Sequence, residues 1–181
     1  MIVKSKDDRI KEFKDFMGFN ENSVKDLDEL GFFEAPASTK YHGAYEGGLF
    51  DHSLETAKAL VELTEKLGLT WERPESPYIV GMYHDLCKCD LYIPKILDRS
   101  NGQSEYTYNP DIIIPGHGEK SIIMLQRYTY LTDEEITCIR WHMGAFDDQK
   151  NWECYGKAIE KYPNVLYTHT ADMIASRIKG I

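Results

Sequence analysis

An apolar helical pattern that ends on two adjacent metal-ligand side chains constrains this chain more than any other feature. Ser76-Pro77 opens the pattern, which runs through Ile79, Val80 and Met82 and ends at Tyr83-His84-Asp85-Leu86-Cys87-Lys88. Pro is tolerated in a first helical turn, so the start is well marked. Neighbours on a helix point about 100° apart, so His84 and Asp85 do not form one ordinary surface face. A metal ion lying between them can still be reached by both. The aspartate has two oxygens, with which it can hold one ion or bridge two. A fold that uses this pair must bring further ligands to it from other parts of the chain.

Helical periodicity continues on both sides. Residues 7–17 put Ile10, Phe13, Phe16 and Met17 on one face. Ser23-Val24-Lys25-Asp26 reads as a capped helix start and Gly31 as its stop. Residues 36–48 read as a loop rich in Gly and Tyr that carries His42. A helix is expected over 49–67, with Leu49, Ala57, Leu60, Val61 and Leu67 as its stripe, Gly68 at its end and His52 in its first turn. Residues 91–97 and 104–109 are β-like, and Asn101-Gly102 between them signals a hairpin. Gly116-His117-Gly118 precedes a helix with Ile122, Ile123 and Leu125. Thr132-Asp133-Glu134-Glu135 is a capping box, so a helix begins there and reaches His142, with Gly144 past its end. Residues 145–154 read as polar loop. A last helix is expected from about Pro163 to Ile178, through His169 and Asp172. The expected fold is therefore all-α, a helical bundle with one small β-hairpin, in a single domain over 1–181.

The bulk properties narrow the function. At 181 residues, 42% apolar and 28% charged, the chain is an ordinary globule able to bury a core. Its net charge of −9 lacks the basic footprint needed to coat long duplex nucleic acid, but leaves a phosphorylated small molecule or a short nucleic-acid end as a substrate. No apolar run is long enough to span a membrane, and Met1 to Asp8 lack the apolar core of a secretion signal. Cys87, Cys89, Cys138 and Cys154 show no CxxC spacing, so they read as reduced thiols and the expected location is the cytoplasm. Cys87 and Cys89 read as packing residues, with metal binding as the alternative.

His52, His84, Asp85, His117, His142 and Asp172 fall on or at the end of separate expected elements, the adjacent pair apart. In order they resemble the HD-domain superfamily of metal-dependent phosphohydrolases. Its core signature, H…HD…D, matches His52, His84-Asp85 and Asp172. The two-metal branch adds a histidine on each of two intervening helices, and His117 in Gly116-His117-Gly118-Glu119-Lys120-Ser121 and His142 in Arg140-Trp141-His142-Met143-Gly144 stand there. Tyr41-His42-Gly43-Ala44-Tyr45-Glu46-Gly47-Gly48-Leu49 is similar to the segment before the first histidine in HD-type 3′-to-5′ exoribonucleases. Cys87 departs from the pattern, taking the place of a common glycine before Lys88. The resemblance implies an HD core over 41–178 with residues 1–40 as a helical N-terminal cover.

The same resemblance implies the chemistry. His52, His84, Asp85 and Asp172 would hold one ion, and Asp85 would bridge to a second held by His117 and His142. Imidazole with carboxylate suits Fe, Mn, Ni, Co or Zn. Two divalent ions against two aspartates leave a positive site that suits a phosphate ester, and a water bound there is acidified to a pKa of about 7. The implied activity is hydrolysis of a phosphoester in a nucleotide or oligonucleotide, with Asp85 and Lys88 as catalytic residues. Two alternatives stay open: a di-iron oxygenase of the same superfamily, or a ligand-binding or sensor module with an inactive site. Lys88, His42 and Tyr45 are the candidate substrate-binding residues, against a solvated lysine and an ordinary structured loop. His169 reads as a supporting residue, and Arg140 and Arg177 as surface or ion-paired cations, with phosphate binding as the alternative. The sequence leaves the oligomeric state open.

Overall fold

The structure, a computed structural model, describes residues 4–18, 21–95 and 105–181. It is mostly helical, with one small antiparallel sheet, as the periodicity implied. Helix α3 (Gly48–Leu67) is the central element. Its buried face holds Leu49, Ala57 and Leu60 of the expected stripe together with Phe50 and Leu54, whereas Val61 is only partly buried and Leu67, at the end of the helix, is exposed. Helix α4 (Ser76–Tyr83) crosses it closely. A Cβ placed on Gly81 would lie 2.4 Å from the Cα of Ala57, so only glycine permits this backbone contact. The C-terminal helix α9 (Asn164–Met173) packs against α3, α4 and the helix over Asp133–Trp141 and continues as a π-helical segment, Ile174–Lys179.

Helices α6 (His117–Leu125) and α7 (Asp133–Trp141) form the other wall. They also touch backbone to backbone, because a Cβ on Gly118 would meet the Arg140 carbonyl oxygen at 2.5 Å. The predicted capping box opens α7: Thr132 Oγ1 accepts from the Glu135 N–H, and Glu135 accepts from the Thr132 N–H. Glu135 is fully buried and also receives Arg73 (2.8 Å) and Ser76 (2.8 Å), which locks the start of α4 to the start of α7. One buried carboxylate thus satisfies four donors and fixes the relative placement of two site-bearing helices.

The N-terminal helix α1 (Lys6–Met17) is capped by Ser5 and followed by α2 (Glu21–Glu29). Phe13, Phe32, Phe33 and Phe50 meet edge to face beneath it, tying this cover to α3. Arg9 is 1% exposed and donates to the Glu46 carbonyl at 2.7 Å. Gly47 leaves room for its guanidinium, which a Cβ there would strike at 2.0 Å.

Several boundaries differ from the sequence reading. Residues 145–154 are not simply loop: two short 3-10 turns, Gly144–Phe146 and Gln149–Asn151, lead into α8 (Trp152–Lys161). Its apolar residues Tyr155, Ala158 and Ile159 pack on the core, a short i, i+3, i+4 pattern overshadowed by polar neighbours. Helix α2 begins at Glu21, before the expected cap at Ser23. A single turn, α5 (Lys88–Leu91), follows the His-Asp pair, and the last helix changes pitch at Ile174. The hairpin forms between β1 (Tyr92–Pro94) and β2 (Tyr106–Tyr108), with Ile93 opposite Thr107; the expected Asn101-Gly102 turn lies outside the described residues. Among the described residues no helix is long and apolar enough to cross a membrane.

Candidate metal centre

The fold brings the ends of its helices together at one buried point. His52 sits one turn into α3, His84 caps α4, Asp85 follows it, His142 caps α7 and Asp172 lies near the end of α9. His52, His84 and His142 are fully buried, and Asp85 is 3% exposed. His52 Nε2 lies 3.2 Å from His84 Nε2, 3.3 Å from Asp172 Oδ1 and 3.6 Å from Asp85 Oδ2. His84 Nε2 is 3.4 Å from Asp85 Oδ2, and His142 Nε2 is 3.4 Å from Asp85 Oδ1. His117, at the first position of α6, is 36% exposed, with Nδ1 3.9 Å from Asp85 Oδ1.

The outer nitrogens fix the tautomers. His84 Nδ1 donates to the Gly81 carbonyl (2.9 Å), His142 Nδ1 to the Ile139 carbonyl (2.7 Å) and His52 Nδ1 to the backbone oxygen of Ile181 (3.0 Å). A nitrogen that faces a carbonyl must carry the proton, so each Nε2 presents a lone pair to the centre. Lone pairs therefore face lone pairs and carboxylate oxygens in a water-poor pocket. That arrangement is unfavourable unless a cation stands among them. Asp85 Oδ1 and His142 Nε2 are buried and lack a hydrogen-bond partner among the described residues.

These observations fit a divalent metal ion. Bonds of about 2.0–2.3 Å place neighbouring ligand atoms roughly 3.0–3.6 Å apart, and most of the contacts above fall in that span. Three sets of candidate ligand atoms lie within 4.8 Å of one another: His52, His84 and Asp85; His84, His142 and Asp172; and Asp85, Cys87 and His117. His84 and Asp85 each belong to two sets, so the adjacent pair is the hub of the arrangement.

Electrostatics keeps the donors in their ligating forms. Burial alone would raise the Asp85 pKa, but the Lys88 ammonium, 2.6 Å from Oδ2, holds the carboxyl well below the usual range. Burial would equally strip Lys88 of its proton; Asp85 outweighs that and holds the lysine above its ordinary value. Burial lowers the pKa of His117, which favours the neutral imidazole that a metal needs. The Cys87 thiol is pushed up to about 12 by burial, with the Asp85 charge adding to it.

A cleft of about 240 Å³ opens above the centre. Its floor is Asp85, Lys88, His117 and Asp172, and its walls include His42, Tyr41, Tyr92, Phe146 and Arg177. His42 is half-buried, with its ring 5.0 Å from that of His52; burial first, then the Lys88 charge, pulls it down to about 4. Tyr45 does not reach the cleft: its hydroxyl donates to Asp51 at 3.0 Å and it stands outside the lining. Arg177, read as a surface cation with phosphate binding as the alternative, lines the cleft from the π-helical segment that follows α9. Tyr41 and Phe146 are cleft residues that the sequence reading did not single out; both are large and exposed, at 75% and 61%. A wider groove of about 570 Å³ shares His117, Met143 and Phe146 with the cleft. His169 supports the site from outside, donating to the His142 carbonyl at 2.8 Å. Arg140 bonds Glu119 and Asp147 at 2.7 and 2.6 Å and ties α6 to the segment after α7.

Neither a search of curated proteins nor one of solved structures returned a match. The family model described as HD domain matches residues 49–175, more than half of the chain, and the buried histidine–aspartate cluster lies in the matched region. This chain belongs to the HD-domain family.

Proposed function

We propose that the protein is a metal-dependent phosphohydrolase that cleaves a phosphoester in a nucleotide or at the end of an oligonucleotide. The observation that carries this reading is the convergence of imidazole and carboxylate lone pairs at the floor of a cleft that also holds cations. His52, His84, Asp85 and Asp172 would hold one ion, and Asp85 with His117 and His142 would hold a second, within a core spanning 41–178. Divalent ions so held supply positive charge for a phosphoryl group and acidify water for attack on phosphorus.

The chain's own residues do the rest. With neutral imidazoles, the formal charges of Asp85, Asp172, Lys88 and Arg177 cancel, so every bound divalent ion leaves the cleft positive. Lys88, buried and aligned by Asp85, acts as a fixed point charge toward a phosphate oxygen. His42 is neutral at pH 7 and offers a hydrogen bond without adding charge. Tyr41 and Phe146 at the rim present flat faces on which a base can stack, which favours a nucleoside leaving group over a bare sugar phosphate. The reduced cysteines and the lack of a membrane helix among the described residues go with a cytoplasmic enzyme.

The test is release of phosphate or nucleoside from a panel of nucleotides and short oligonucleotides, after reconstitution with Mn²⁺, Fe²⁺, Co²⁺, Ni²⁺ or Zn²⁺. Turnover is expected with at least one metal, with loss in Asp85→Asn. Absence of turnover on every phosphoester by the metal-loaded protein would refute the reading.

A further inference from the structure

We propose that Cys87 is a thiolate ligand to an ion held beside His117, which biases that half of the centre toward thiophilic ions such as zinc or cobalt over magnesium. The proposal rests on the metal-centre reading above and extends it to a residue that reading leaves unused.

The geometry comes first. Cys87 Sγ lies 3.6 Å from His117 Nδ1. Bonds of about 2.3 Å to sulfur and about 2.0–2.1 Å to nitrogen give a tetrahedral S–N edge of about 3.6 Å, the separation seen. Cys87 Sγ, His117 Nδ1 and an Asp85 oxygen lie within 4.8 Å of one another. Asp85 Oδ1, the oxygen on the His117 side, is buried and has no hydrogen-bond partner among the described residues. A cation between these atoms would satisfy it. This orphaned carboxylate oxygen is an observation independent of the cysteine.

Position and rigidity support the assignment. Cys87 is 1% exposed, in the tight turn that joins α4 to α5. Its N–H donates to Ser121 Oγ at 3.0 Å, which ties the thiol-bearing turn to α6, the helix that begins with His117. Both ligands are thus held by one contact between two elements. His117 is the exposed member, so a substrate oxygen could still approach an ion there from the cleft. The chemistry balances simply: the thiol S–H bond breaks, a sulfur–metal bond forms, and the proton passes to solvent. No redox change is involved. Sulfur ligation selects Zn²⁺ or Co²⁺ over Mg²⁺, whose preference is for oxygen.

Cobalt absorption provides the test. Metal-free protein loaded with Co²⁺ should show a near-ultraviolet sulfur-to-cobalt charge-transfer band as well as the visible bands of cobalt held by imidazole and carboxylate. Cys87→Ser should lose the charge-transfer band, keep visible bands from the His52–His84 side, and bind one Zn²⁺ at least about 10-fold more weakly by equilibrium dialysis. Cys89→Ser should keep the band, and Cys87→Ala repeats the measurement should the serine variant fold poorly. Visible bands without charge transfer in the unaltered protein would overturn the assignment of Cys87 and leave the metal centre standing, as would loss of the band in Cys89→Ser alone. Failure of the unaltered protein to take up cobalt at all would overturn the centre and this inference together.

Discussion

The Nε2 atoms of His52 and His84 stand 3.2 Å apart, and each ring is pinned from behind by a backbone oxygen. Two lone pairs held this close, with Asp85 and Asp172 beside them, store repulsion that a cation relieves. The centre is therefore costly when empty, and its occupancy is coupled to the stability of the fold.

Metal should accordingly stabilise the protein. At a free ion concentration of 100 times the dissociation constant, binding contributes about 2.7 kcal/mol. For a chain of this size that raises Tm by roughly 5–10 °C. Thermal melts of chelator-treated protein, with and without Mn²⁺ or Zn²⁺, measure the shift. Mg²⁺ should give less of it, since imidazole ligands disfavour it.

Lys88→Met isolates the buried ion pair. Lys88 Nζ lies 2.6 Å from Asp85 Oδ2, and both groups are nearly inaccessible to water. Removing one partner of such a pair costs about 3–5 kcal/mol. Urea unfolding of the metal-free variant should show that loss. Saturating metal should recover much of it, because the ion takes over the charge of Asp85.

Gly81→Ala tests the crossing of α3 and α4. The new methyl would meet the Ala57 Cα at 2.4 Å, so the helices must part. Overpacking of this kind costs about 1–3 kcal/mol. The Gly81 carbonyl also orients His84, so metal affinity measured by titration should fall together with the urea midpoint.

The response to pH has a definite sign at His42. Burial and the nearby Lys88 charge lower this histidine from 6.5 to about 4. Between those values the unfolded chain binds a proton that the folded chain refuses. Stability from this group is complete above pH 6.5 and declines as pH falls toward about 4. Denaturant midpoints of the metal-free protein at pH 7 and pH 5 should differ less in His42→Gln than in the unaltered chain.

Much of this was legible in the sequence because it is written in local signals. The Thr132–Glu135 capping box, Gly68 after α3 and the Leu49, Ala57 and Leu60 part of the expected stripe each depend on residues a few positions apart, and each appears in the structure. The cluster of His52, His84, Asp85 and Asp172 was approachable for another reason: rare ligand types stood at helix ends, in an order that a known family shares. What escaped depends on packing between distant segments. Helix α8 carries only a short apolar pattern at Tyr155, Ala158 and Ile159, and it is held through the core it covers. Tyr45 shares its segment with the cleft residue His42, but Asp51, six positions on, draws its hydroxyl away, so the alternative of an ordinary structured loop holds for it. Arg177 lines the cleft from a π-helical segment, a change of pitch with no mark in the residue pattern. The Cys87–His117 contact joins residues 30 positions apart, and neither residue alone signalled the other.

Metal content per chain tests the central claim most directly. Protein reconstituted with a divalent transition metal, freed of excess ion and assayed by elemental mass spectrometry, should retain bound metal. Asp85→Ala, which removes the hub of the cluster, should retain almost none, and His142→Ala should keep the His52–His84 ion while losing most of the rest. Full occupancy in Asp85→Ala, or a reconstituted native chain that holds no metal, would contradict the account.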